Sequence, residues 1–174
     1  MSKAKLKSVL LGMEKKQIIE VMLELYNASK EAKGYLDFFA EPNEKEKIKE
    51  YKAIIEKEFY PGGKKEPQLR FSVCRKAISD FRKLKPSAES MADLMLFYIE
   101  NACRFTHEYG DMWEQYYTSV EGNFARTLEF IVEHDLLEQF HPRIKQCLSW
   151  VDGCGWGFSD TLGDTYGEIV GPQK

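Results

Sequence analysis

Ser87-Ala-Glu-Ser-Met-Ala-Asp-Leu-Met-Leu-Phe-Tyr-Ile-Glu-Asn-Ala-Cys-Arg-Phe-Thr-His-Glu108 is the stretch whose reading decides the fold. Ser87 is a favourable N-cap, and no glycine or proline follows until Gly110. Met91, Leu94, Met95, Leu96, Tyr98, Ile99, Ala102, Cys103 and Phe105 cover more than half the circumference of a helix at about 100° per residue. An apolar stripe that wide predicts burial on several sides. Residues 87–108 are therefore read as a central helix against which the others pack.

Working outward, nearly every segment keeps a helical period. Leu6, Val9 and Leu10 suggest a short first helix, and Ile18, Val21, Met22, Leu25 and Tyr26 define a firm one over 14–29. A short segment around Tyr35–Phe39 ends at Pro42. A polar helix over 43–59 carries only the narrow stripe Ile48, Tyr51, Ile55, Phe59, which places it outermost, with Asn43 as its N-cap. Tyr60-Pro-Gly-Gly-Lys-Lys-Glu-Pro67 marks a long loop over 60–68, read as a surface loop within one domain. Asp111 and Glu114 match a capping box for a helix over 112–133. Pro142 divides a short turn at 136–140 from a helix containing Ile144, Cys147, Leu148 and Val151. The glycine-rich segment 153–174 repeats in fours from Thr161 and, if helical, sets Gly163 and Gly167 in one smooth stripe. The expectation is a single all-α domain over 1–174, with about seven or eight helices in an irregular bundle or stacked hairpins.

The 174 residues are 43% hydrophobic and 13% aromatic, which argues against disorder. The net charge of -3 hides a segregation: residues 1–59 carry +1, residues 60–86 carry +6 and residues 87–174 carry -10. The basic block has two readings, attraction of an acidic partner or pairing with the acidic half of the same chain. The acidic total disfavours non-specific nucleic-acid binding. Four cysteines show no C-x-x-C pair, the run Val9-Leu10-Leu11 is too short for a signal-peptide core, and Leu94–Ile99 cannot span a membrane. A cytoplasmic protein in a reducing compartment is expected.

The basic block is concentrated in Leu69–Lys85, an amphipathic helix with Phe71, Cys74, Ile78 and Phe81 on its buried face. Ser72 and Ser79, Arg75 and Arg82, and Lys76 and Lys83 are each seven apart, so each pair forms one line, with the serines between the arginines and the lysines. Arginine suits phosphate and carboxylate because its planar fork bonds twice. Arg70, Ser72, Arg75, Lys76, Ser79, Arg82 and Lys83 are the candidate surface for an acidic protein or a phosphate-bearing ligand. A solvated or internally paired face explains the same residues.

Other constellations are weaker. Asp93, Glu100 and His107 share one edge of the central helix, but steps of seven residues are about 10.5 Å, too far for one metal ion to join two of them. Glu100 has Arg104 at i+4 as an ion-pair partner. Cys103 and His107 have ligand spacing, with His134 and His141 elsewhere, yet closely paired zinc ligands are absent. No nucleophile elbow or phosphate-binding glycine loop occurs. No catalytic residue, metal or cofactor is assigned. The leading expectation is a non-catalytic interaction module; the alternatives are an enzyme using central-helix residues and a homo-oligomer built through the glycine stripe.

Three stretches carry a resemblance: Leu6 with Ile18-Ile-Glu-Val-Met-Leu-Glu-Leu-Tyr26, Pro67-x-x-Arg70-x-Ser72 followed by Lys76-Ala-Ile-x-x-Phe81, and Gly155-Trp-Gly-Phe158-x-Asp160. Together they resemble a family of uncharacterised bacterial proteins, a domain of unknown function expected to be all-helical. The resemblance implies that the basic helix and the Gly-Trp-Gly-Phe segment are shared features. It transfers no activity and no catalytic residue.

Overall fold

The computed structural model describes residues 2–171. They form nine helices and no strand: α1 Lys3–Leu11, α2 Lys15–Ala28, α3 Lys30–Ala40, α4 Glu44–Phe59, α5 Phe71–Lys83, α6 Ala88–Tyr109, α7 Glu114–Glu133, α8 Leu137–Trp150 and α9 Phe158–Val170. The all-α class is as expected, with slightly more helices, because Lys30–Ala40 and Phe158–Val170 are full helices. No helix among the described residues is long and apolar enough to cross a membrane.

The chain divides into two compact units, Met1–Asn43 and Glu44–Lys174. In the first, α2 packs on α3, and Phe38 is the buried side chain. Tyr26 Oη donates to Asp37 Oδ1 at 2.9 Å, and the Lys33 ammonium stands over the Tyr26 ring. The apolar residues of α2 spread over about 200° of its circumference, more than one neighbouring helix covers. Ile19, Val21, Met22, Leu23 and Leu25 consequently remain exposed. The period predicts a helix there correctly; it does not predict burial.

The second unit is built around α6, which packs against α4, α5, α7 and α8 and buries twelve residues. Ser87 caps it by accepting from Ser90 N–H. The narrow stripe of α4 is enough to seat it: Ile55 and Phe59 are fully buried. Its first turn is tied to α6 as well, because the Glu44 carboxylate accepts from Ser87 N–H, Ser87 Oγ and Ser90 Oγ. That helix is therefore less peripheral than its polarity predicts. The loop over 60–68 is held at its end by Glu58, whose carbonyl accepts from Gln68 and Leu69 N–H.

Two helix boundaries depart from expectation. Asp111 does not cap α7; its carboxylate accepts instead from Tyr117 Oη at 3.0 Å and Gly155 N–H at 2.8 Å. A Cβ at Gly155 would lie 2.8 Å from Asp111 Oδ2, so this close approach needs glycine. Pro142 does not divide the chain but sits inside a continuous α8. The ring removes one donor, a local cost set against the burial of Phe140, Ile144 and Cys147 along the same helix. In α9, Phe158, Leu162 and Tyr166 are buried, while Gly163 and Gly167 face open space, so the smooth stripe meets no neighbouring backbone among the described residues.

Candidate anion-binding groove

Helices α5 and α7 both pack on α6. They meet at their starts, where Phe71 and Tyr116 rings lie 5.0 Å apart edge-on and Arg75 Nη1 donates to Ser119 Oγ at 3.1 Å. Beyond that closure a groove of about 350 Å³ opens between them. Arg75, Ile78, Ser79 and Arg82 line one wall, Asn123, Arg126, Thr127 and Phe130 the other, and Met95 and Tyr98 of α6 the base. A second hollow of about 280 Å³ shares Arg82 and Phe130 and continues to Lys85, Met91 and His134.

The charges of the groove are unusual for their lack of partners. Arg82 Nη2 reaches only Met95 Sδ, at 3.6 Å. Among the described residues, Arg75, Arg82 and Arg126 form no ion pair with a carboxylate, although Glu129 and Glu133 line the same groove. The other three arginines of the chain are all paired: Arg70 with Glu58, Arg104 with Glu108, and Arg143 with Asp93 and Glu100. At the base, Tyr98 is 1% exposed and its hydroxyl has no hydrogen-bond partner of good geometry among the described residues. Burial pushes that phenol up to about 12, opposed by the nearby Ser119 and Arg75.

The candidate residues from the sequence therefore separate. Arg75, Ser79 and Arg82 line the groove. Lys76 and Lys83 instead pair with Asp80, which lies between their turns and whose carboxyl they hold below its ordinary range. Arg70 forks onto Glu58, donating from Nε at 3.0 Å and Nη2 at 2.7 Å, with its own N–H adding a third bond. These bonds, the side-chain ones first, hold the buried Glu58 carboxyl low. Ser72 is exposed and outside the groove. Sequence reasoning missed Arg126 and Asn123 because neither belongs to a local basic pattern, and it missed Asp80 although i+4 from Lys76 is a standard ion-pair spacing.

The weaker constellations are dispersed. Asp93 and Glu100 do share a partner, but it is Arg143, whose wide guanidinium bridges the seven-residue spacing with 2.7 Å contacts at each end. Lys52 closes the group on Asp93. Arg104, expected on Glu100, pairs with Glu108 and lies over the Tyr60 ring. Cys103 is buried, His107 Nδ1 is bonded to Trp150 O, and His134 stacks on Phe130. His107, Asp111, Asp152 and Cys154 line a separate hollow of about 270 Å³. There burial pushes the Cys154 thiol up, away from the thiolate a nucleophile needs. Among the described residues no group of three or more His, Cys, Asp or Glu side chains is placed to hold a metal.

No curated protein and no solved structure matches the chain. Over residues 1–152, which include the whole groove and stop short of the Gly155-Trp-Gly-Phe158 segment, the sequence matches the family described as "Family of unknown function (DUF6155)". The chain belongs to that family.

Proposed function

We propose that the protein is a non-catalytic binding module whose α5–α7 groove receives an anionic group, carried by an acidic protein segment or a phosphate-bearing ligand. One observation carries this reading: the three arginines without a carboxylate partner all line the same groove. Gathering three guanidiniums that the two nearby carboxylates, Glu129 and Glu133, do not contact costs folding energy, and such a cost is characteristic of sites kept for a ligand. Guanidinium forks match carboxylate and phosphate oxygens in pairs, while Ser79 and Asn123 add neutral hydrogen-bonding groups between them. All four cysteines are unpaired, in keeping with a cytoplasmic, reducing setting.

Calorimetric titration of the full chain with pyrophosphate and with a short oligoglutamate, repeated at rising salt, tests the proposal. At least one of these anions binds at low ionic strength, weakens as salt rises, and loses at least tenfold in affinity in Arg75→Gln/Arg82→Gln/Arg126→Gln. Absence of binding to both anions, or equal binding by the variant, contradicts the reading.

A further inference from the structure

The shape of the groove says more about its occupant than its charge does. Its walls follow helical spacing on both sides: positions 75, 78, 79 and 82 on α5, with Lys85 just beyond its end, and 123, 126, 127 and 130 on α7, with His134 at its C-cap. From 75 to 82 the α5 wall runs about 10.5 Å at the rise of an α-helix, roughly two turns, and Lys85 extends it just past the helix end. The two hollows share Arg82 and Phe130, so they lie end to end along the groove. Ile78 and Phe130 are half-buried apolar side chains facing it, with Met91, Met95 and Tyr98 of α6 at the base. Cations stand along it at Arg75, Arg126, Arg82 and Lys85.

We infer that the groove is a docking site for an acidic amphipathic helix of a partner protein, laid between α5 and α7 over α6. This rests on the anion-binding reading above and narrows it. An apolar stripe at i, i+3/i+4, i+7 meets Ile78, Phe130 and the α6 base, and flanking carboxylates meet the guanidiniums. A compact phosphate engages one or two of the cations and leaves the remaining length of the trough unfilled. A uniformly negative polymer meets Glu129 and Glu133 on the α7 wall, which repel it. An acidic helix with a mixed pattern satisfies the cations, the apolar base and the two carboxylates together.

The test uses the full chain and two synthetic fourteen-residue peptides of identical composition. One places leucines on a single helical face between glutamates, with one lysine near an end; the other scatters the leucines around the helix. Fluorescence anisotropy is followed at low salt, with helix content of the bound peptide read by circular dichroism. The amphipathic peptide binds at least tenfold more tightly than its scramble and gains helix on binding. Ile78→Ala with Phe130→Ala, checked for an unchanged native spectrum, removes that preference while pyrophosphate affinity is retained. Equal affinity for the two peptides overturns the helix assignment but leaves anion binding standing. Failure of peptides and pyrophosphate alike overturns both.

Discussion

Arg143 and the trio Arg75, Arg82 and Arg126 flank opposite sides of α6, and the two sides treat charge differently. Around Arg143, Asp93, Glu100 and Lys52 complete a group in which each charge touches an opposite one. Burial disfavours the Arg143 cation, but the Glu100 and Asp93 contacts outweigh it and raise its pKa. In the groove, three guanidiniums share an apolar base and touch no carboxylate among the described residues. The first arrangement holds α8 and α4 to the central helix. The second joins helices only through bonds to neutral acceptors, Arg75 to Ser119 and Arg82 to Met95, and this difference is why we propose it for recognition. The lesson is that a cation's partner, not its presence in a basic stretch, separates architecture from function.

Substitutions on the paired side should give the largest losses of stability. Arg143→Ala strands Glu100, only 19% exposed, leaves Asp93 with Lys52 as its one ion-pair partner, and costs about 2 kcal/mol after allowance for the solvent that reaches this group. Denaturant unfolding measures it; a loss below about 0.5 kcal/mol would reduce the pair to a screened surface contact.

Glu58 comes next, because it is buried at 3% exposure and ties both Arg70 and the loop end to α4. Glu58→Gln should cost about 1–2 kcal/mol at neutral pH. Its carboxyl is lowered in the folded state, so its contribution is complete above the ordinary value of 4.5 and is lost as pH falls through the depressed folded value. Asp80 and Glu44 are lowered too, Asp80 by the Lys76 and Lys83 bonds, Glu44 by Ser87 and Ser90 against an opposing burial effect. Stability should therefore fall on the acid side below about pH 4.5, and Glu58→Gln should flatten part of that slope. An unchanged slope would remove Glu58 from the account.

Smaller effects sharpen the contrast. Tyr98→Phe removes a buried hydroxyl without a good partner and should leave stability unchanged or raise it by up to about 1 kcal/mol. A loss of that size instead would show that Ser119 or water satisfies the hydroxyl. Lys76→Ala and Lys83→Ala, whose side chains are 73% and 70% exposed, should each cost under about 0.5 kcal/mol in thermal unfolding. They should also leave anion affinity intact, unlike the adjacent arginines. A tenfold loss in either would return the lysine line to the site.

How far this was readable from sequence depends on whether a signal is local. The wide apolar stripe of 87–108 revealed the central helix, and the seven-residue spacing of Arg75 and Arg82 located one wall of the groove. Local spacing also contained Asp80, the residue that withdraws Lys76 and Lys83 from that wall. The opposite wall was not legible: Arg126 is one basic residue on a helix of an acidic segment, and only the packing of α5 and α7 on α6 brings it near Arg75. Arg143 was hidden for the same reason, since no sequence rule places it 43 residues away on Glu100. The exposed apolar face of α2 failed in the other direction, because periodicity records amphipathicity and not what covers it.

The most direct test of the central claim is the melting temperature of Arg75→Gln/Arg82→Gln/Arg126→Gln, with and without pyrophosphate or the amphipathic peptide. If the groove is kept for a ligand, the variant melts at or slightly above the wild type in the absence of ligand, and only the wild type gains stability when one of them is added. A variant that melts lower by the equivalent of about 1 kcal/mol or more, or that gains as much from the ligands as the wild type, would show that these arginines serve the fold and would contradict the account.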